Sequence, residues 1–593
     1  MKRSEVAENL KWDLTKFCAS DQKWYEEFEK LKGYVGKFEV YKGKLNNKKL
    51  LKQMLNLDVE CNKIMDGLEM YAYHNLNTQL NNKTYSEMVN VLGALTTKLS
   101  TETSFVTPEL LSYDVSYLNE LKNDPNFKNN KMWFTRLIND KEHVLSEAEE
   151  KLISSMQNFL GDSSDIFDSI TDCDFEFKDA LDSAGKAHKV SNATYPILIK
   201  CDDRVLRKNT HASLWSTFKQ YNNSLFLNYN LNLKTDNFLA KAKKFNDSFD
   251  YALYEWDVPR SVYNKLKQKV NQVVNLNARY YNLRRKAMGY EKLHSYDAVA
   301  NITPHIDKKY TFEQAQQMIL NGLKPLGEQY GEYVKQAYAE RWVDVMPTEH
   351  KVGGGYSHSS YWTTPVILLN YTDDAQDVID LAHELGHSIH SLLSNKAQPY
   401  ETHSYPIVLA EIASTFNEIL LIKYLIENAQ TKEEKLFYVD KYLVLFSSKI
   451  FGSIKNTEFE EFAHGLVSEG KPISKDILND KFESLSNIYN NGIEPNEFKK
   501  YGWSAISHFY TSFYMFQYAT GLVAAMSFVN KVLNGSKTEL NNYLGFLKSG
   551  GSNYPCEILK NAGINLEEDE PYDLAFVEME NALNLMEEII NLK

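Results

Sequence analysis

Val378-Ile379-Asp380-Leu381-Ala382-His383-Glu384-Leu385-Gly386-His387-Ser388-Ile389 decides how this chain is read, because it sets an HExxH pattern into a segment with helical apolar periodicity. Val378, Leu381, Ala382, Leu385, Ile389 and Leu392 recur at three and four residues and form one stripe. His383 and His387 lie on its flank, one turn apart, so both imidazoles can reach one metal ion at about 2.0–2.1 Å. Glu384 projects beside that ion. A zinc ion draws the pKa of its bound water down to about 7, and an adjacent carboxylate can take the proton as water attacks a carbonyl. The implied chemistry is amide hydrolysis.

The flanks support a helix. Asp373 and Asp374 follow a strand-like run at residues 365–371, and acidic residues at a helix start cap free amides and complement the dipole, which predicts a helix from near Ala375. A catalytic zinc needs three protein ligands and one open position. An extended HExxHxxGxxH site would need Gly at 390 and His at 393, but those positions hold His390 and Leu393. The candidate is therefore a carboxylate downstream. Glu411 lies in a second apolar helical segment beyond a turn at Tyr405-Pro406, antiparallel to the first, and is preferred on spacing over Glu418 two turns later. Glu418 reads instead as an outer carboxylate supporting a ligand or as plain surface charge.

HELGH at 383–387 followed by AEIASTFNE at 410–418 resembles the thimet-oligopeptidase-like zinc peptidases, and more closely their oligoendopeptidase F branch. There the third ligand is the first glutamate of an E-x-x-S-x-x-x-E helix, which Glu411, Ser414 and Glu418 match. The resemblance also covers Lys141-Glu142-His143-Val144-Leu145-Ser146-Glu147-Ala148-Glu149-Glu150 and Phe238-Leu239-Ala240-Lys241. It reaches Ser507-His508-Phe509-Tyr510 and the segment from Phe513 to Gly521, similar to the family's His/Tyr segment whose side chains reach the scissile carbonyl. What the resemblance implies is a predominantly α-helical, zincin-like metallopeptidase with a deep substrate channel and a small β element next to the active-site helix. It further implies one bound zinc ion and cleavage of internal bonds of short unstructured peptides. Growing charge on a carbonyl oxygen calls for donors there, each worth on the order of 10²–10³ in rate. Tyr518 comes first for that work, then Tyr514 and His508, with Tyr510 a fourth, substrate-binding candidate.

Upstream of the strand-like run, Lys351-Val352-Gly353-Gly354-Gly355-Tyr356-Ser357-His358 predicts a loop in which glycine permits close backbone approach. It lacks the following Lys-Ser/Thr of a phosphate cradle. Gly354, Gly355, Tyr356 and His358 are its substrate-binding candidates. Residues 366–370 could offer an open strand edge for an extended peptide.

The 593 residues are 43% hydrophobic with 14 prolines and 26 glycines, which favours a helix-rich body with a large core. No Ser/Gly-rich linker or low-complexity tract separates tethered modules. Short apolar runs at 174–178 and 193–200 around Ala184-Gly185 predict a β-hairpin. The regions expected are a helical amino-terminal one at 1–110, an oligoendopeptidase-F-like lobe at 111–190, and a zinc metallopeptidase catalytic region at 191–593. A net charge of −13 disfavours nucleic acid as a partner. Five scattered cysteines predict free thiols in a reducing compartment. With no signal-like start and no run of about 18 apolar residues, the expectation is a cytoplasmic protein with no membrane partner. Two alternatives remain at this stage. One is a carboxy-dipeptidase, for which Arg341 is a candidate cation to capture the free carboxyl end. The other is a peptide-binding protein without turnover, disfavoured because Glu384 is dispensable for metal binding alone.

Overall fold

Several of the helices in this chain start at a short polar side chain that caps their first free N–H groups. Asn47 accepts from the N–H groups of Lys49 and Leu50 to open a 31-residue helix, α1 (Lys48–Thr78), and Asp203 does the same for the 39-residue helix Arg204–Ala242. The computed structural model describes residues 1–303 and 308–591, so the parts of the expected catalytic region at 304–307 and 592–593 lie outside the described residues. Helices dominate the described chain, and strands are few and short, as the apolar periodicity predicts.

The chain divides into two compact units, each assembled from three separate stretches. The first comprises Met1–Val144, Lys308–Leu421 and Lys531–Gly563. Its amino-terminal helices bury Trp24, Leu31, Leu51, Leu68 and Leu92 in one cluster that also takes in Val366 and Leu368. Trp24 satisfies its indole N–H on the Leu68 carbonyl at 2.9 Å. A small sheet of β1 (Val343–Asp344), β2 (Tyr356–His358) and β3 (Val366–Leu368) has the order β1-β3-β2, with β3 parallel to β1 and antiparallel to β2. This corrects the expected open edge at 366–370. Val366, Ile367 and Leu368 are all buried, as a continuous apolar strand covered on both faces must be, and the edge beside the metal helix belongs to β2.

The HExxH segment forms α2 (Ala375–Ala397). Asp374 caps it by accepting from Gln376 N–H, and Asp377 reaches back to the Asp374 N–H. Asp373 takes a left-handed turn at φ 67° to bring the strand's chain into that cap. Beyond a short turn the chain enters α3 (Ile407–Asn428).

The second unit comprises Leu145–Asp307, Ile422–Asn530 and Ile564–Lys593. Within it Tyr229, on the long helix, stacks on Phe459 and Phe509. Arg284 is buried against Asp440 at 2.5 Å. The hairpin is present, but its strands are Ala180–Leu181 and Ala187–His188, closed by Gly185 at φ 81° and by Asp182 accepting from Ala184 and Lys186. Residues 193–200 do not supply a strand. Pro196, in the first turn of the short helix Tyr195–Leu198, starts a helix where its missing N–H costs nothing. Cys18, Cys61, Cys173, Cys201 and Cys556 are all free thiols. No helix among the described residues is long and apolar enough to cross a membrane.

Candidate metal centre

A spacing of four residues on α2 sets the rings of His383 and His387 5.0 Å apart and 80° to one another. Nε2 of His383 lies 3.7 Å from Oε2 of Glu411, and Nε2 of His387 lies 3.8 Å from Oε1 of the same carboxylate. Tetrahedral ligands at about 2.1 Å from one ion sit roughly 3.4 Å apart, so the three side chains converge as one site requires. They form the one such His/Cys/Asp/Glu cluster among the described residues. Oε2 of Glu418 is 3.4 Å from the other nitrogen of His383, Nδ1. A carboxylate there fixes the ring and leaves Nε2 with its lone pair toward the site.

Glu411 reaches the histidines because α2 and α3 pack almost backbone to backbone. A methyl group on Gly386 would fall 2.5 Å from Ser414 Cα and 2.6 Å from the Ala413 carbonyl oxygen. The glycine in HELGH is therefore a packing requirement that the sequence reading left unexplained. Asn417 donates to the Ala382 carbonyl at 3.2 Å and accepts from the Tyr330 hydroxyl at 3.0 Å, which ties the same antiparallel pair together one turn away.

Glu384 is half-buried, and burial pushes its carboxyl up to about 7, with the nearby Glu411 and Asp380 acting the same way against the pull of His383 and of the Ser357 N–H. Strand β2 lies over this carboxyl. The Ser357 hydroxyl meets that of Ser388 on α2 at 2.7 Å, and Gly355 lets β2 close on β3, since a methyl there would be 3.2 Å from a Leu369 methyl and 3.3 Å from the Leu368 carbonyl oxygen. A cavity of about 510 Å³ opens between these elements, lined by Gly355 to Ser359 and by His383, Glu384, His387 and Glu411.

Of the loop candidates, Gly355, Tyr356 and His358 line this cavity, while Gly354 serves the turn before it at φ 76°. His403 and Tyr405 also line it, residues that no local motif marks. Arg341 is committed elsewhere. Its guanidinium meets Glu8 at 2.8 Å and Asp13 at 3.5 Å, which removes it as a carboxyl-capturing group.

The carboxyl-terminal candidates lie in the second unit. His508 Nε2 is 3.3 Å from the Tyr518 hydroxyl, and the Tyr514 ring sits 5.9 Å from His508 and 5.4 Å from Tyr518. Burial lowers the His508 imidazole below its ordinary value, which favours the neutral ring. The segment is not one continuous helix. A 3₁₀ turn at Ser507–Tyr510 is followed by Phe513 at φ 60°, and only then by the helix Phe516–Asn534. That break folds His508 back onto Tyr514 and Tyr518. Tyr510 is not brought to them: its ring packs on Phe167 at 5.0 Å and on Tyr229 at 6.1 Å.

Known families and proteins match this chain over most of its length. The family described as Peptidase family M3 matches residues 197–578, and that described as Oligopeptidase F matches residues 109–177. Oligopeptidase PepF of Bacillus subtilis is 32% identical over 591 residues, covering 99% of this chain and 88% of its own. A crystal structure from Chlamydophila abortus superposes with a TM-score of 0.93 at 31% identity and 99% coverage of both chains. The crystal structure of oligoendopeptidase-F from Enterococcus faecium gives 0.74 at 27% identity, covering 97% of this chain and all of that one.

Proposed function

Because this chain belongs to peptidase family M3, in its oligoendopeptidase F branch, we propose that it is a zinc-dependent oligoendopeptidase that hydrolyses internal bonds of short unstructured peptides with Glu384 as general base. The observation that carries this reading is the convergence of His383, His387 and Glu411 beside Glu384 at the floor of one cavity. Two neutral imidazole nitrogens and a carboxylate suit zinc, and Glu418 on His383 Nδ1 is the outer partner such a ligand wants. Zinc bound by these residues supplies a Lewis acid that makes water acidic and polarises a carbonyl.

The rest of the chemistry falls to the chain's own groups. Glu384 takes a proton from the attacking water and returns it to the leaving amine. Ser357 on β2 stands close enough to Glu384 for its N–H to favour the ionised carboxylate. The edge of β2 can pair with an extended peptide. Ile367 gives its N–H to Trp342 on the β1 side, so Ser357, its register partner, turns its polar groups to the outer edge. Main-chain pairing of this kind tolerates many sequences. His508, Tyr514 and Tyr518 carry the role of donors to the developing oxyanion, which the family resemblance assigns and their mutual contact supports. A stably folded domain would have to unfold before pairing along β2, at about 5–15 kcal/mol, so short unstructured peptides are the substrates.

Incubation of a peptide mixture with the enzyme, followed by mass spectrometry with and without a chelator, tests the reading. Internal cuts that vanish with the metal and return with zinc support it. Cuts that persist without metal, or removal of carboxyl-terminal dipeptides alone, would overturn it.

A further inference from the structure

Strand β2 alternates its side chains between two neighbours, and one of them forms a hydrogen-bond chain that ends at the cavity. Ser357 turns toward α2, whereas Tyr356 and His358 turn toward α1, where His74 is fully buried. Asn77 Nδ2 donates to the Tyr356 hydroxyl at 2.7 Å. The hydroxyl's other contact is Nδ1 of His74 at 2.9 Å, so its own proton goes to that nitrogen. Burial holds His74 well below the usual imidazole range and lowers His358 too, against the pull of the Glu69 carboxylate, which favours neutral rings. A neutral His74 that accepts at Nδ1 carries its proton on Nε2 and donates it to Nδ1 of His358, 3.0 Å away. A neutral His358 that accepts at Nδ1 must in turn bear its proton on Nε2. No described residue is bonded to that atom, and His358 lines the cavity that holds His383, Glu384 and His387.

We propose that His358 is a substrate-binding residue that presents Nε2–H to a carbonyl oxygen of the bound peptide, and that Asn77, Tyr356 and His74 act as positioning residues by fixing this tautomer. The proposal rests on the peptidase reading above and says which group beside β2 selects for an acceptor. A side chain in this place without the relay could present either a lone pair or a proton; with it, only a donor faces the substrate, and an acceptor on the peptide is favoured over a second donor.

Two measurements on the full zinc-loaded chain test it. In the first, ¹⁵N-histidine labelling with NMR reads the tautomers directly, the His358 signals being those lost in His358→Gln. The expected result is Nε2 protonated and Nδ1 bare in both His74 and His358, with Tyr356→Phe mixing the tautomers of both. A bare Nε2 on His358 in the unmodified protein would overturn the proposal, since the chain would then run in the opposite direction. In the second, a peptide is titrated into a Glu384→Gln background, where binding is measured without turnover. His358→Leu should weaken binding about five- to tenfold, the loss of one hydrogen bond. His358→Gln, which keeps an N–H donor at similar reach, should stay within about twofold of the parent. Equal affinity for the parent and the leucine variant, or equal loss in both variants, would overturn the donor role. Absence of peptide cleavage by the unmodified enzyme would instead sink the peptidase reading, which the tautomer measurement does not depend on.

Discussion

Gly386 shows how a single hydrogen atom decides the metal site. With Ser414 Cα 2.5 Å from where a methyl would stand, an alanine must push α2 and α3 apart, and the distance between the histidines and Glu411 widens with them. Gly386→Ala should cost about 1–3 kcal/mol of stability, as overpacking does. It should also weaken zinc retention, checked by denaturant titration and metal analysis after dialysis. Glu384 and Glu411 are separable by the same kind of measurement. Glu384→Gln should abolish hydrolysis with about one zinc retained per chain, because it removes the base and leaves all three ligands. Glu411→Ala should lose the metal. Near-normal turnover in the first, or full zinc in the second, would mean the roles are misassigned. Tyr518→Phe should lower kcat by on the order of 10²-fold with little change in KM, because an oxyanion donor acts mainly in the transition state. An unchanged kcat would return Tyr518 to packing.

At the scale of elements, the informative parts are the places where regular structure breaks. Phe513 is fully buried at φ 60°, and its N–H donates at 2.7 Å to Oε1 of Glu460, itself fully buried. Two buried partners hold a left-handed residue that would otherwise relax, and the turn so fixed brings His508 against Tyr518. Glu460→Ala should therefore cost about 1–3 kcal/mol from the unpaired buried amide. It should also lower kcat by loosening that turn, whereas Glu460→Gln, which keeps an acceptor, should recover most of both. Steady-state kinetics beside thermal unfolding would decide, and an alanine variant with parental kcat would separate the turn from the chemistry. Strand β2 is the second such element: three residues long, it bonds to α2 and α1 at once and lines the cavity with Glu384.

For the whole molecule, each compact unit draws on three stretches of chain, so no contiguous piece carries the metal site with its support. Val366 and Leu368 belong to the same buried cluster as Trp24, Leu31, Leu68 and Leu92. Removing residues 1–110 should therefore strip one face of the sheet under β2 and give an aggregated chain that does not hold zinc, measured by size-exclusion chromatography with metal analysis. A soluble, zinc-loaded product would show that the amino-terminal helices are dispensable. The sequence alone determined the helical class and where α2 begins, and it picked out His383, His387 and Glu411 as candidate ligands and Glu384 as candidate base, because these follow from periodicity and from spacing within one helix or between two adjacent ones, where local geometry dictates position. It also named Tyr518, Tyr514 and His508. Only the tertiary structure decided that Gly386 is a contact between helices, that β3 is covered and β2 forms the edge, that Arg341 is bound to Glu8, that Tyr510 packs on Phe167, and that His74 reaches His358 across 284 positions. Each of these depends on which distant segments meet, and the pairing of distant segments is set by burial of the whole core, to which no local pattern of residues corresponds.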